Sequence, residues 1–295
     1  MRGAHPERAL EGEVARAGVF RRGERVLAAC SGGPDSVALA GILAAIAPAL
    51  DLTVRLAHVN HHTRPSADQD EAVATAVATA LELPLSVLDL DRSPQASESE
   101  LREARYAALV TEARRSGAES VAVAHHAEDQ TETILLALFR GAGPEGLAGM
   151  PTRRRLADEI ALVRPLLRFA SEDLRAYCHW RALPYAIDPT NLSLDRRRNA
   201  VRTSLAALRP LFPGLDEAAA RAAALLADER AGRVRARSRR RVRERLLEAD
   251  ALDDVTFERI EAIARTLERR GSGRFRLGEG VTAVVRGERL EVERE

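Results

Sequence analysis

Short apolar runs rich in β-branched residues alternate with longer Ala/Leu/Glu stretches through the first half of the chain. The runs ERVLAAC (24–30), LTVRLAHVN (52–60), LPLSVLDL (83–90) and ESVAVAHH (119–126) read as strands buried on both faces. The stretches between them read as helices, and strand-helix alternation predicts an α/β fold with a parallel doubly wound sheet. Two helix starts carry capping boxes: Ser66 with Gln69 opens a helix to about Glu82, and Ser97 with Glu100 opens one to about Ser116. In such sheets ligands bind beyond the carboxyl ends of the strands, which directs attention to the residues just after Cys30, Val59 and Ala124.

Beyond Met150 the pattern loosens. A basic turn (Arg153, Arg154, Arg155), an RPLL segment (164–167), a helix around 171–182 and a polar loop with Asp188-Pro189 precede a long helical region from about Leu215 to Glu248. That region is densely basic over 230–245, with Val234, Val242, Leu246 and Leu247 as a partial apolar stripe, so it fits a solvated helix and an RNA-facing one equally. A shorter helix near 255–270, a GSG turn and two strands, VTAVVRG and RLEVERE, complete the reading, with no internal repeat. The expected organisation is a domain over 1–215 and, over 216–295, a helical connector with a small, mainly helical carboxyl-terminal domain ending in short strands.

Length and composition narrow the chemistry. At 295 residues and 45% apolar content, the chain can bury a sizeable core and bears a soft expectation of two domains. It contains no lysine, so all 45 residues counted as Lys or Arg are arginine. A phosphate loop of the GK[ST] type and a Schiff-base enzyme are thereby excluded. The longest uncharged apolar stretch, Val37 to Leu50, is broken by Pro48 and falls short of the roughly 20 residues that span a bilayer. The first residues, MRGAHPERALEGE, show no apolar signal core, so a cytoplasmic protein without membrane contact is expected. Cys30 and Cys178 lack metal or redox spacing and read as buried thiols.

The net charge of +1 conceals an asymmetry. Residues 1–150 carry 14 arginines against 21 acidic residues, and 151–295 carry 31 against 23. An acidic half joined to a basic half suggests a catalytic domain attached to a polyanion-binding region, although solvated Arg-rich helices give the same sum.

The most informative segment is Ser31-Gly32-Gly33-Pro34-Asp35-Ser36, directly after a predicted strand and before a predicted helix. Glycines at such a corner allow positive φ and close backbone approach, and successive N–H groups with the helix N-terminus form an anion nest that needs no lysine. Read blandly, it is a tight turn with Ser36 as cap. Asp35 is the first candidate for a Mg²⁺ ligand, because a hard cation wants carboxylate oxygen beside phosphate, and Asp129 is the second. Asp129 also suits a helix cap, and Glu132, three residues on, either shares the face of Asp129 or serves as a first-turn acid favoured by the helix dipole. His58, His61, His125 and His126 cluster at strand ends; their spacing completes no zinc set, and some read as structural.

The loop SGGPDS resembles the PP-loop of the ATP-pyrophosphatase superfamily, whose fold is of the adenine nucleotide alpha hydrolase kind. Further segments are similar to the tRNA(Ile)-lysidine synthetase family: HVNHHTRPSADQDE (58–71), the helix with Arg102, Arg105 and Tyr106, HHAEDQTETILLALFRGAGPEGLAGM (125–150), RPLL, and DPTN…RRRNAVR (188–202). Two departures are visible: Glu128 stands where the family usually has Asp, and Ala200 where it usually has Arg.

The resemblance implies an enzyme that uses ATP, Mg²⁺ and free L-lysine to convert the wobble cytidine of a CAU-anticodon isoleucine tRNA to lysidine. It implies ATP held by Ser31 to Ser36, a catalytic set of Asp35, Asp129, Arg105 and His125, and tRNA contacts at Arg140, Asn191, Arg198 and Arg202, with the carboxyl-terminal domain clamping the tRNA body. The lysine amine, with a pKa of about 10.4, needs help to lose a proton, and a carboxylate or one of the four imidazoles could supply it. Homodimerisation is left open. The rivals are a tRNA thiolation enzyme or an ammonia-using synthetase of the same superfamily, and a non-catalytic nucleotide- or RNA-binding regulator.

Overall fold

A computed structural model of the chain describes residues 6–60, 67–90, 98–186, 196–230, 234–249, 251, 255–278 and 281–294. In chain order the elements are α1 (Pro6–Arg16), β1 (Arg25–Ala29), α2 (Pro34–Leu50), β2 (Thr53–Asn60), α3 (Ala67–Ala80), β3 (Leu85–Asp89), α4 (Glu98–Ser116), β4 (Ser120–Ala122), α5 (Ala127–Phe139), α6 (Pro144–Leu147), β5 (Arg153–Ala157), β6 (Ile160–Val163), α7 (Ser171–Trp180), α8 (Arg196–Leu208), α9 (Leu215–Arg230), α10 (Val234–Glu248), α11 (Phe257–Glu268), β7 (Ser272–Gly278), β8 (Val281–Arg286) and β9 (Arg289–Arg294). Chain contacts divide these into two compact units, Met1–Arg221 and Ala222–Glu295.

The first unit holds a six-stranded sheet ordered β3-β2-β1-β4-β6-β5. All neighbours pair in parallel except the edge strand β5, which runs antiparallel to β6. Each of the four expected strands is present, but β3 lies at the sheet edge with Val87 exposed, so the expectation of burial on both faces fails there. The order reverses direction between β1 and β4, where Leu27 pairs with Val121 and Ala28 with Ala122, and such a switch point leaves a crevice beyond the carboxyl ends of the two strands.

Alternation along β1 explains the layering. Val26, Ala28 and Cys30 join the core beneath α1, α2 and α7, while Leu27 faces the opposite layer with Leu109 and Ala113 of α4 and Leu162 of β6. Helix α2 is apolar almost all round because it is enclosed by α1, α7 and the sheet, and this accounts for the uncharged stretch Val37 to Leu50. A Cβ at its Gly41 would lie 2.7 Å from Leu183 and 2.9 Å from Tyr177, so α2 and the chain around α7 approach as closely as a missing side chain permits. Among the described residues no helix is long and apolar enough to cross a membrane.

The structure corrects the reading of 153–155 as a turn. These residues begin β5, and Arg153 reaches inward to chelate the buried Glu24 through two nitrogens at 2.9 and 3.2 Å. Burial alone would raise the Glu24 carboxyl, but the Arg153 guanidinium and the Arg21 N–H outweigh it and hold the pKa below its ordinary value. Helix α8 was not expected either, since RRRNAVR has too few apolar positions to show periodicity.

In the second unit, α10, α11 and the antiparallel sheet β7-β8-β9 enclose a separate core built on Val242, Leu246, Ile263, Ala283 and Val285. The reading of GSG as a turn is corrected: Ser272 and Gly273 already pair with β8 within β7, a third strand beyond the two expected, whose partly buried Phe275 and buried Leu277 alternate with arginines. Arg239 is itself buried, reaching Asp228 and Glu261 at 3.2 Å each, so this member of the arginine run is structural. Arg237, Arg240, Arg241 and Arg245 lie exposed, as does Leu247, which leaves the expected apolar stripe.

A carboxyl with a lowered folded-state pKa stabilises the fold above its unfolded pKa, and that contribution disappears as pH falls through the folded value. Urea midpoints measured from pH 7 to pH 3 are therefore expected to fall below about pH 4.5. Glu24→Gln should lower the midpoint at pH 7 and flatten part of this acid dependence; parallel curves for the two proteins would remove Glu24 from the account.

Candidate functional site

The segment Ser31–Ser36 forms the corner between β1 and α2 at the crevice. Ser36 fastens it: its Oγ accepts the Ser31 N–H at 3.1 Å and donates to the Gly33 carbonyl at 2.9 Å. Gly32 adopts φ +86°, and a Cβ there would sit 2.8 Å from the Asp70 carbonyl oxygen, so only glycine fits against α3. The first-turn N–H groups of α2 have no intrahelical acceptor and carry the positive end of the helix dipole. Anion binding by backbone is the natural use of this corner.

Two sequence-predicted acids converge beside it. Asp35, in the first turn of α2, and Asp129, in the first turn of α5, both approach Nε2 of His126, at 3.6 and 3.5 Å. Asp129 also accepts the His126 backbone N–H at 3.2 Å, so it caps α5 as well as facing the site. The other imidazole nitrogen, Nδ1, lies 2.8 Å from Glu128. Burial alone would lower the His126 pKa, but Glu128, Asp129 and Asp35 together raise it to about 9, and the ring is a cation at neutral pH. Asp35 moves the other way from a free carboxyl: burial, aided by the Asp129 charge, outweighs the attraction of His126 and raises its pKa.

Glu128 departs from the resembled pattern, and its place explains the longer side chain. Its two oxygens accept the Ser171 N–H that opens α7, at 3.0 and 3.1 Å, while one also holds His126. Burial works against the carboxylate, yet His126 and the Ser171 N–H bring its pKa down to about 2.

The crevice contains a cavity of about 440 Å³ lined by Ser31, Gly33, Asp35, His58, Arg105 and His125 among others. Both histidines are fixed from behind: His58 Nδ1 lies 2.9 Å from the Cys30 carbonyl, and His125 Nδ1 lies 3.2 Å from Nε of the buried Arg164. Thus Ser31, Gly33, Pro34, Asp35, Ser36, Arg105 and His125 share one cavity, and Asp129 meets Asp35 across His126.

The residues expected to meet RNA are scattered differently. Arg198 and Arg202 both grip the buried Glu132, with Nε atoms 2.8 and 2.7 Å from its oxygens, and so tie α8 to α5. The pair lowers the Glu132 pKa against the opposing effect of burial. Arg198 also approaches Asp129 at 3.8 Å. Arg140 caps the far end of α5, about 16 Å along the axis from Asp129. Asn191, His61, Ser66 and Ser97 lie outside the described residues. Sequence reading missed three residues that organise the site: Arg164, whose motif carried no stated role, Glu132 as an anchor for α8, and Gln130, whose amide pairs with both backbone groups of Met150 at 2.8 and 3.1 Å.

No group of three or more His, Cys, Asp or Glu among the described residues forms a self-sufficient metal site. Asp35 Oδ1 is nevertheless buried with no hydrogen-bond partner, an orphan that suits a cation taking one or two carboxylates and completing its shell with phosphate and water. Removing one carboxylate from the set should weaken the hold on the imidazolium. In Glu128→Gln the His126 pKa, followed by NMR titration, is expected to fall from about 9 toward 6.5; an unchanged value would show that Glu128 does not govern it.

Residues 6–208 match the PP-loop domain. The chain is 44% identical over 211 residues to a tRNA(Ile)-lysidine synthase of Salinispora arenicola (strain CNS-205), covering 70% of this chain and 63% of that protein. It is 38% identical over 198 residues to a tRNA(Ile)-lysidine synthase of Symbiobacterium thermophilum, covering 65% of this chain and 41% of that one. The chain therefore spans less than two thirds of the length of these relatives. Among solved structures, a U34-tRNA thiolase from Methanococcus maripaludis superposes with a TM-score of 0.62 at 15% identity, covering 75% of this chain and 78% of that one, a likeness of fold. With the phosphate-loop corner at the sheet's switch point and the match extending over most of the chain, this protein belongs to the PP-loop family.

Proposed function

We propose that this protein ligates free L-lysine to C2 of the wobble cytidine of CAU-anticodon tRNA(Ile) at the expense of ATP, in the cytoplasm. The observation that carries the reading is the convergence of the Ser31–Ser36 corner, Asp35 and Asp129 at one crevice, in a chain 44% identical to a lysidine synthase over 211 residues. The C2 carbonyl of cytosine is a poor electrophile, and oxide cannot leave. ATP removes the obstacle: O2 attacks the α-phosphorus, the bond to pyrophosphate breaks, and the lysine amine then displaces AMP from C2, carrying O2 away.

The chain's own residues have parts in this. Loop and first-turn N–H groups of α2 would hold the departing pyrophosphate, and Arg105 would meet charge developing on the phosphoryl group, the preorganised electrostatics on which phosphoryl transfer relies. Asp35 and Asp129 would hold Mg²⁺, which when bound neutralises phosphate charge. The acidic wall of Asp35, Glu128 and Asp129 also favours a cationic amino acid near the crevice. Exposed arginines of α10 in the second unit would contact tRNA phosphates, and residues 216–295 would serve as the tRNA-clamping domain.

A sulfur-transfer reading gains no support from the thiols. Cys30 and Cys178 are buried, burial raises the pKa of both, and Cys178 is pushed up to about 12, so neither is an available thiolate.

Purified protein mixed with ATP, Mg²⁺, L-lysine and unmodified CAU-anticodon tRNA(Ile) should join lysine to tRNA with release of AMP and pyrophosphate. Lysine-independent AMP release, or no incorporation, would overturn the proposal. Asp35→Asn is expected to reduce turnover at least about 100-fold while tRNA affinity, measured by filter binding, stays within about threefold of wild type.

A further inference from the structure

We infer that the two imidazoles lining the cavity carry their protons on opposite nitrogens, so that His125 meets the bound ligand as a hydrogen-bond donor through Nε2–H, with Arg164 as the positioning residue that fixes it in that state. The inference rests on the proposed reaction only for the identity of the ligand oxygen that His125 would meet.

A guanidinium has N–H donors and no acceptor, and it does not lose its charge in proteins. Arg164 Nε, 3.2 Å from His125 Nδ1, therefore requires a lone pair on Nδ1. The proton of the neutral ring is then on Nε2. Arg164 cannot turn away easily, because it is buried and its NH1 donates to the Pro151 carbonyl at 3.0 Å.

A carbonyl oxygen imposes the opposite condition. It only accepts, so the Cys30 oxygen 2.9 Å from His58 Nδ1 requires a proton on that nitrogen, and a neutral His58 keeps its lone pair on Nε2. Among the described residues neither Nε2 has a protein partner, and both rings line the cavity. The cavity wall therefore offers one donor and one acceptor of the same chemical kind.

A second observation agrees. Burial, followed by the charges of Arg164, Arg102, Arg105 and Arg198, holds the His125 pKa well below its ordinary value, which keeps the ring neutral. A neutral Nε2–H aimed at an oxygen that gains negative charge stabilises that charge without giving up its proton. The ligand class is an oxyanion or carbonyl oxygen of a substrate bound beside the loop, either a phosphoryl oxygen of the nucleotide or the O2 of the base. His125 is then unsuited to accept a proton from the lysine amine. His126 is unsuited too, since carboxylates face both of its nitrogens.

The test uses the full chain labelled with ¹⁵N-histidine, whose seven rings are resolved by long-range ¹H–¹⁵N spectra and assigned with single His→Gln variants. His125 should show a protonated Nε2 and an unprotonated Nδ1, and His58 the reverse. A protonated Nδ1 on His125, or averaging over both its nitrogens, would overturn the inference. Adding a non-hydrolysable ATP analogue, or tRNA alone, should shift the His125 Nε2–H signal in the arm that supplies the oxygen; no shift in either arm would remove the donor role.

Turnover gives an independent check. His125→Gln, whose amide can still donate, should lose no more than about tenfold, and His125→Glu, which can only accept at neutral pH, at least about 100-fold. The reverse order would make His125 an acceptor. In Arg164→Lys, if folded by circular dichroism, the fixed pattern at His125 should be lost; an unchanged pattern would remove Arg164 from the positioning role, and the wild-type spectrum decides the matter if the variant does not fold. Should wild type make no lysidine, the proposed function fails while the imidazole spectra still decide the proton positions.

Discussion

Three carboxylates, Asp35, Glu128 and Asp129, are held within reach of one imidazole ring at the edge of a parallel sheet, and this crowding of like charge is tolerated because the ring is positive. Much of the local architecture serves the arrangement. Asp35 comes from the first turn of α2, Glu128 and Asp129 from that of α5, and the Ser171 N–H at the start of α7 draws Glu128 into place. Three helix starts thus meet one acidic group of residues, and helix starts are where negative charge is least costly. The switch in strand order between β1 and β4 leaves room beyond their ends for this meeting and for the cavity beside it.

The sheet and the corner were legible because they depend on local chemistry. Strand runs such as 24–30 and 119–126 announced themselves by uninterrupted apolar residues, and SGGPDS by the one combination of glycine, proline and serine that suits a phosphate-binding turn. Edge elements were not. Strand β5 is written RRRLA, with little apolar signal, since it is held by hairpin pairing to the adjacent β6 and by the reach of Arg153 to Glu24, far away in sequence. Helix α8 is similarly obscured: Arg198 and Arg202 look like RNA contacts in the sequence, and their grip on Glu132 becomes visible with α5 beside them.

The same division runs through the site. Asp35 and Asp129 could be named from the motifs that hold them, but the proton state of neighbouring histidines could not. Four imidazoles at strand ends look interchangeable on paper. In the three that the structure describes, the partners make them unlike: a carbonyl for His58, a guanidinium for His125, and carboxylates for His126. The absence of lysine has a physical counterpart here. Arginine presents an Nε–H in a fixed plane and chelates carboxylates through two nitrogens, as at Glu24, where a rotating ammonium would constrain its partner less.

The outer strand β5 has a bearing on solution behaviour. An open sheet edge offers unpaired backbone groups on which a foreign strand could assemble, and long apolar edges invite amyloid-like stacking. Here the rim carries Arg153, Arg154 and Arg155 in succession, with the latter two exposed and the strand bulged after Arg155. Any copy of this strand laid alongside would bring guanidinium against guanidinium. The residues that hid the strand from a hydrophobic scan are those that keep the sheet finite.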